Sequence, residues 1–404
     1  MNILWGLMGI AVVFGIALIF SNNRKAINLR TILGGLAIQL LFAFAVLKWE
    51  TGKLALKKLS LGVTEIINYT DAGVQFLFGG LFQAENIGFI FAFQVLTVVI
   101  FFSSLISVLY YLGIMQFVIK FIGGALAKLL GTSKAESLSA AANIFVGQTE
   151  APLVVRPYLA KMTKSELFAV MVGGLASVAG SVLVGYAMLG VPLEYLLAAS
   201  FMAAPAGLIM AKVMIPETEK SETSDDMQME KDTDSVNVID AAARGASTGL
   251  QLALNIGAML LAFIALIALI NGILGFVGGW FNVDGLTLEK ILGYLFSPLA
   301  FAIGVPWSEA VQAGGFIGQK LILNEFVAYS SFAPQIDQLS AKTVAVISFA
   351  LCGFANVSSM GILLGGLGSL APNRRGDIAK LGIKAVIAGM LASLLSAAIA
   401  GMLL

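Results

Sequence analysis

The chain has 404 residues, 59% hydrophobic and 12% charged, with a formal net charge of +1 and a mean hydropathy of +0.94. That apolar excess excludes an ordinary soluble domain, and near-neutral charge leaves no bulk field to draw nucleic acid, which is not an expected partner. With no histidine and a single cysteine, Cys352, the composition also excludes a Ser-His-Asp triad, an intrachain disulfide and a multi-thiolate metal site.

Apolar runs recur near 3–20, 29–48, 87–112, 166–190, 194–214, 249–275, 341–371 and 381–404. Each is close to or beyond the roughly 20 residues needed to cross a bilayer, so the sequence predicts an all-α polytopic membrane protein with about eight transmembrane helices. The lipid bilayer is therefore its first partner. Residues 3–20 lack a preceding basic region and read as a span, not a cleaved leader. Arg24, Lys25 and Arg30 follow the first span, while Arg374, Arg375, Lys380 and Lys384 precede the last. By the positive-inside tendency both loops face the cytoplasm, which puts both termini outside. Residues 52–69 and 113–130 are short and amphipathic and fit helices lying along the outer and cytoplasmic interfaces. Residues 216–240 carry nine acids against Lys220 and Lys231. They read as a solvated, disordered linker that divides the chain into two halves.

Two segments enter the membrane without crossing it. Ser133-x-x-Glu136 and Thr163-x-x-Glu166 are capping-box patterns that mark two helix starts. Between them lie Gly147, Pro152 and Pro157, which an unbroken helix tolerates poorly. An arm over 134–146 would be only ~20 Å long, too short for a ~30 Å hydrocarbon core. A re-entrant hairpin with its tip near Gly147–Pro152 follows. The second half repeats the plan. Pro306-Trp-Ser-Glu309 starts a helix with Pro in its first turn, a Gly-rich arm leads to Asn324-Glu325-Phe326, and Ser340 opens the next span. Each hairpin precedes a Gly-interrupted helix, with Ala176-Ser177-Val178 placed like Ala355-Asn356-Val357. Paired interrupted elements of opposite orientation point to a transporter's midplane binding site, and acids at membrane depth mark a substrate or ion pathway.

The residues Gly147-Gln-Thr-Glu-Ala-Pro152, Asn324-Glu-Phe326 and Gly353-Phe-Ala-Asn-Val-Ser-Ser359 closely resemble the signatures of concentrative nucleoside transporters, in the bacterial sodium-coupled branch. The likeness extends over essentially the whole chain. It implies sodium-coupled symport of a nucleoside such as uridine by alternating access, a homotrimer, and a place in the bacterial inner membrane. It implies base recognition by Gln148, Thr149 and Glu150 with apolar contact from Val182 and Phe354. Glu325, Asn356 and Ser359 would bind the ribose, and Asn143, Val146, Ser177 and Val178 would hold Na+. The chemistry of these residues agrees. Amides and hydroxyls both donate and accept, and carboxylates accept strongly from hydroxyls. No Arg or Lys stands at either expected tip, which favours nucleosides over nucleotides. Glu150 or Glu325 as a proton carrier is the alternative to sodium.

The domain division that follows is 1–130 as mainly scaffold, 131–214 as first hairpin and transport helices, 215–240 as linker, 241–304 as scaffold helix and connection, and 305–404 as second hairpin, broken helix and last helix. An intramembrane carboxylate enzyme and a passive channel are the rival readings. The first lacks a companion aspartate cluster for magnesium, and the second has no use for paired hairpins.

Overall fold

The computed structural model describes residues 2–82, 90–223, 235–280, 283 and 285–404. Among them no strand occurs. The first half begins with α1 (Asn2–Ile19), α2 (Leu29–Leu47), α3 (Glu50–Asn68), α4 (Thr70–Phe82), the single turn α5 (Phe91–Gln94) and α6 (Leu96–Tyr111). It continues with α7 (Ile114–Leu130), α8 (Lys134–Ala142), α9 (Lys164–Ala176), α10 (Gly180–Met188) and α11 (Leu193–Met214). The second half holds α12 (Val238–Trp280), α13 (Leu288–Ala302), α14 (Trp307–Ile322), α15 (Glu325–Phe332), α16 (Ala341–Leu351), α17 (Ser359–Leu370) and α18 (Arg375–Leu403).

Among the described residues seven helical segments are long and apolar enough to cross a membrane: α1, α2, α5–α6, α9–α10, α11, α12, and the segment from Pro372 through α18. The expected span over 341–371 is divided into α16 and α17, each too short to cross alone. Residues 87–89 of the third expected span lie outside the described residues. The long helix α12 extends well beyond the expected 249–275, and its 43 residues reach about 65 Å, twice the hydrocarbon thickness. It packs on α6 through small residues. A Cβ at Gly249 would come within 2.8 Å of Ile100 Cα, so only glycine permits this approach.

The two basic loops lie at one end of the molecule. Arg30 reaches the carbonyl oxygens of Lys128 and Leu129, Arg374 donates to Met162 O, and Lys384 Nζ donates to Phe20 O at 3.4 Å. At the other end Trp5 Nε1 donates to Phe301 O at 2.6 Å, and Lys342 lies 4.6 Å from the Trp5 ring centroid. The clustering of the cations is what the positive-inside argument requires. The predicted amphipathic segments are the helices α3 and α7, the latter bounded by left-handed Gly113 and Gly131.

Three expectations need correction. The helices α4 and α13 have no counterpart among the expected elements, and α13 packs along α14 with a 116° bend between them. Pro306 occupies the N-cap of α14 and not its first turn. The linker is not uniformly solvated. Ser221 and Thr223 each donate to Glu166 Oε1 at 2.5 Å, and Thr223 is buried. Glu166 is itself fully buried by its role in the capping box, so its second set of lone pairs requires donors, and the linker supplies them. Residues 224–234 lie outside the described residues.

Candidate functional site

The first hairpin starts as the sequence predicts. Ser133 and Thr163 cap α8 and α9, and Glu136 and Glu166 return the bond to the cap backbone. The descending arm is α8, which ends at Ala142, and the ascending arm is a 3₁₀ helix over Ala151–Lys161. Pro152 and Pro157 account for the second arm, because neither can donate to an α-helical ladder. At the base of this hairpin Lys212 Nζ bridges Glu136 at 2.6 Å and bonds Ser165 Oγ at 2.9 Å. A polar cavity of about 340 Å³ opens there, lined by Thr31, Ser133, Glu136, Lys212 and Glu217. Its charges are paired with each other, and it lies away from the tip.

The second hairpin starts from the opposite end. Glu309 in the first turn of α14 accepts from Ser340 N at 3.1 Å and Ser340 Oγ at 2.9 Å, which ties its base to the start of α16. Its tip is Leu323–Asn324, and Asn324 caps α15 by accepting from Val327 N at 2.8 Å. The two tips therefore point inward from opposite ends, as inverted hairpins must.

Each tip is fastened by one backbone bond to the break in the following helix. Gly180 N donates to Phe145 O at 2.9 Å in the first half, and Val357 N to Leu321 O at 3.1 Å in the second. The breaks are joined to each other, since Phe354 N donates to Ser177 O at 3.1 Å. Interrupted backbone buried in protein must find such partners. The crossing is close. A Cβ on Gly353 would lie 2.9 Å from Ala176 O and 2.8 Å from Ser393 Oγ. Likewise a Cβ on Gly174 would meet Gln148 Cβ at 2.8 Å.

The residues singled out in the sequence are gathered around this junction. Glu325 is buried, accepting from Tyr186 Oη at 3.0 Å and from Asn356 Nδ2 at 3.1 Å. Asn356 Oδ1 in turn accepts from Ser359 N at 2.9 Å, and Ser359 Oγ donates to Phe354 O at 2.6 Å. Val182 is buried and Phe354 half-buried. Gln148 is buried and Thr149 packs against Gly366 of α17, 2.9 Å from where its Cβ would stand. Glu150 is exposed although Ala151 and Pro152 beside it are buried, and its carboxylate lies directly over the Cα of Gly147. Asn143, Val146, Ser177 and Val178 are all buried, with Ser177 Oγ donating to Gly173 O at 2.9 Å. Asn143 Oδ1 and Gln148 Oε1 are buried acceptors with no hydrogen-bond donor among the described residues.

Two residues of the junction had no local signal in the sequence. Tyr186 lies 139 positions from Glu325, stacks on Tyr329 at 4.4 Å and packs edge-on to Phe326 at 5.0 Å. Lys320 is fully buried one turn before the second tip, so the expectation of no cation near the tips holds for the tips themselves but not for the arm.

Three family models tile the chain with little gap. Residues 8–81 match the Na+ dependent nucleoside transporter N-terminus, residues 92–193 a nucleoside recognition model, and residues 195–401 the Na+ dependent nucleoside transporter C-terminus. The chain belongs to the concentrative nucleoside transporter family. It is 52% identical to the nucleoside permease NupC of Helicobacter pylori, over 99% of this chain and 97% of that one. It is 41% identical to human solute carrier family 28 member 3, over 95% of this chain and 58% of that longer protein. The fold matches CNTnw in an inward-facing substrate-bound state at a TM-score of 0.95 and 58% identity, covering 100% of this chain and 98% of CNTnw. A doubly substituted CNTnw in an outward-facing state matches equally well, at 0.95 and 57% over the same shares. This chain is accordingly a multi-pass membrane protein and a nucleoside transporter, and membership of a transporter family removes the enzyme reading.

Proposed function

We propose that the chain is a sodium-coupled nucleoside symporter of the bacterial inner membrane, working as a homotrimer by alternating access with both termini outside. The observation that carries the reading is the junction itself, where two hairpin tips and two helix breaks are joined by main-chain bonds around a buried carboxylate. In this reading Glu325 and Asn356 take the ribose hydroxyls, with Ser359 holding Asn356 in place. A carboxylate already aligned by two donors is preorganised to accept from a vicinal diol. Gln148, Thr149 and Glu150 read the base edge, and Val182 and Phe354 provide its apolar contact.

The residues assigned to Na+ suit that ion. A hard cation takes oxygen ligands, and Asn143 Oδ1 is a buried oxygen lacking a donor among the described residues. Val146 and Val178 add carbonyls and Ser177 its hydroxyl oxygen. When bound, the ion supplies positive charge where α9 ends and its last carbonyls lack intrahelical partners. The domain division follows the same logic. Helices α9, α11 and α18 are nearly all buried and belong with the hairpins in the moving region, while the exposed α1, α2, α6 and α12 form scaffold.

The test is radiolabelled uridine uptake into proteoliposomes under an inward sodium gradient or a matched choline gradient. Accumulation that needs sodium and is competed by other nucleosides supports the reading. Uptake driven by a proton gradient instead would replace the cation, with Glu150 or Glu325 as its carrier. Saturable, gradient-driven accumulation would also separate a symporter from a channel.

A further inference from the structure

The two breaks and the helices before them share one numerical register, while the tip acceptors Phe145 and Leu321 stand 176 positions apart. Each of these second-half residues stands 177 positions after its first-half counterpart: Lys320 and Asn143, Ser340 and Thr163, Ala350 and Gly173, Phe354 and Ser177, Val357 and Gly180. Three of these equivalences are structural as well. Thr163 and Ser340 are N-caps of α9 and α16, and Gly180 and Val357 each donate a backbone bond to a hairpin tip. Gly173 and Ala350 each present a carbonyl in the last turn before the break.

Those two carbonyls are served differently. In the first half Gly173 O accepts from Ser177 Oγ at 2.9 Å, and the Asn143 amide packs 3.1 Å from where a Gly173 Cβ would stand. In the second half Phe354 replaces Ser177 and has no hydroxyl. Ala350 O instead accepts from Lys320 Nζ at 2.8 Å. The same ammonium bonds Ser393 Oγ at 3.0 Å, whose hydroxyl reaches Cys352 O at 3.2 Å. Lys320 is 1% exposed, and among the described residues it has no ion-pair partner. Burying an ammonium on one carbonyl and one hydroxyl is costly even with the Glu325 carboxylate near enough to attract it, and packing would be satisfied by methionine. At a helix C-terminus inside the membrane, however, a cation complements both the orphaned carbonyls and the dipole.

We propose that Lys320 is a tethered cation, supplying to the second half covalently what an exchangeable Na+ supplies to the first. The proposal rests on the sodium site argued above. Lys320 is a positioning residue in this scheme. Its charge sets the end of α16 and hence the break that carries Asn356 and Ser359.

The test is a sodium titration of uridine binding to the purified full-length protein, with choline chloride keeping ionic strength constant. The parent should bind with a Hill slope of about 1, and Lys320→Asn, which copies the first-half residue, should need more sodium and approach a slope of about 2 as a second ion enters. Lys320→Arg should keep the parental slope. Lys320→Met, which offers neither charge nor a hard oxygen, should lose binding at every sodium concentration. If Lys320→Asn proves unstable, Lys320→Gln carries the same expectation, and sodium should raise its thermal midpoint more than it raises the parent's. An unchanged slope in a sodium-dependent, folded Lys320→Asn overturns the tethered-cation proposal alone. So does loss of its binding at all sodium concentrations. A parent whose binding ignores sodium overturns the coupling reading and this proposal together.

Discussion

The two hairpins share a plan but finish their tips in opposite ways. The second meets most of its needs within the chain, with Gln319 Oε1 in its first arm the buried acceptor left without a donor among the described residues. Glu325 has two donors, Asn324 caps its own helix, and Lys320 is seated on Ala350 O and Ser393. The first leaves Asn143 Oδ1 and Gln148 Oε1 without donors among the described residues and leaves Glu150 exposed. Since a buried acceptor without a donor costs about 1–3 kcal/mol, the first tip gains most from groups that arrive from outside the chain. In the proposed reading the second hairpin is a fixed platform and the first the responsive element. That division would follow from a handful of side-chain differences on a repeated backbone scheme.

The sharpest way to break this contrast is to remove the platform's carboxylate. Glu325→Gln exchanges a charged acceptor for a neutral one and disturbs both Tyr186 and Asn356. Uridine affinity should fall about 100-fold, the size of a lost charge-assisted bond with its partners left buried. Sodium affinity should be spared. An equal loss in sodium affinity, measured by titration at saturating uridine, would show that the tips are not divided by role.

A stability experiment comes next. Gly353→Ala places a methyl group against Ala176 O and Ser393 Oγ and should cost about 1–3 kcal/mol. It would be read as a lower thermal midpoint in detergent. Gly361→Ala, whose new Cβ meets nothing within 4 Å inside α17, is the control and should not lower the midpoint.

A smaller effect is expected from Ser177→Ala. Losing the hydroxyl should raise the sodium needed for half-maximal uptake by about 5-fold, the equivalent of one hydrogen bond near 1 kcal/mol. Uridine affinity at saturating sodium should hardly change. The same pattern from a substitution at Phe354, its second-half counterpart, would contradict the asymmetry.

The mildest change is at the caps. Thr163→Ala and Ser340→Ala should each cost about 1 kcal/mol of stability. The two losses should be alike, because each hydroxyl also donates to a carboxylate, Thr163 Oγ1 to Glu217 at 2.7 Å and Ser340 Oγ to Glu309 at 2.9 Å. Chemical denaturation of the two variants side by side decides it.

What the sequence revealed was local. The capping boxes at Ser133 and Thr163 are patterns of residues three apart, and the structure forms both. Pro152, Pro157 and the glycines disclosed the hairpin because each constrains its own backbone. The acids stood out because a carboxylate is conspicuous in an apolar run. Tyr186 and Lys320 did not, since their meaning depends on partners far away in the chain: Glu325 at 139 positions, Ala350 at 30, Ser393 at 73. A tyrosine in an apolar helix looks like any aromatic, and a lysine looks like an interfacial anchor. The helix α13 has no clear signal because Pro298 interrupts its pattern, and its packing on α14 is a tertiary fact. The docking of Ser221 and Thr223 was hidden by a composition that favours solvent. Aligning the halves at 177 positions would have set Lys320 opposite Asn143 and drawn attention to it.

The joint between the halves has a consequence for how this protein varies. Phe145, Gly180, Ser177, Phe354, Leu321 and Val357 meet through main-chain atoms. An alanine scan would report on the side chains around that joint and not on its bonds, because exchanging a side chain leaves every main-chain donor and acceptor in place. Proline is the exception, since at 180, 354 or 357 it deletes the donating N–H itself. The connection is therefore robust against most single-residue change, and an amide-to-ester replacement is the finer tool for cutting one strand of it at a time.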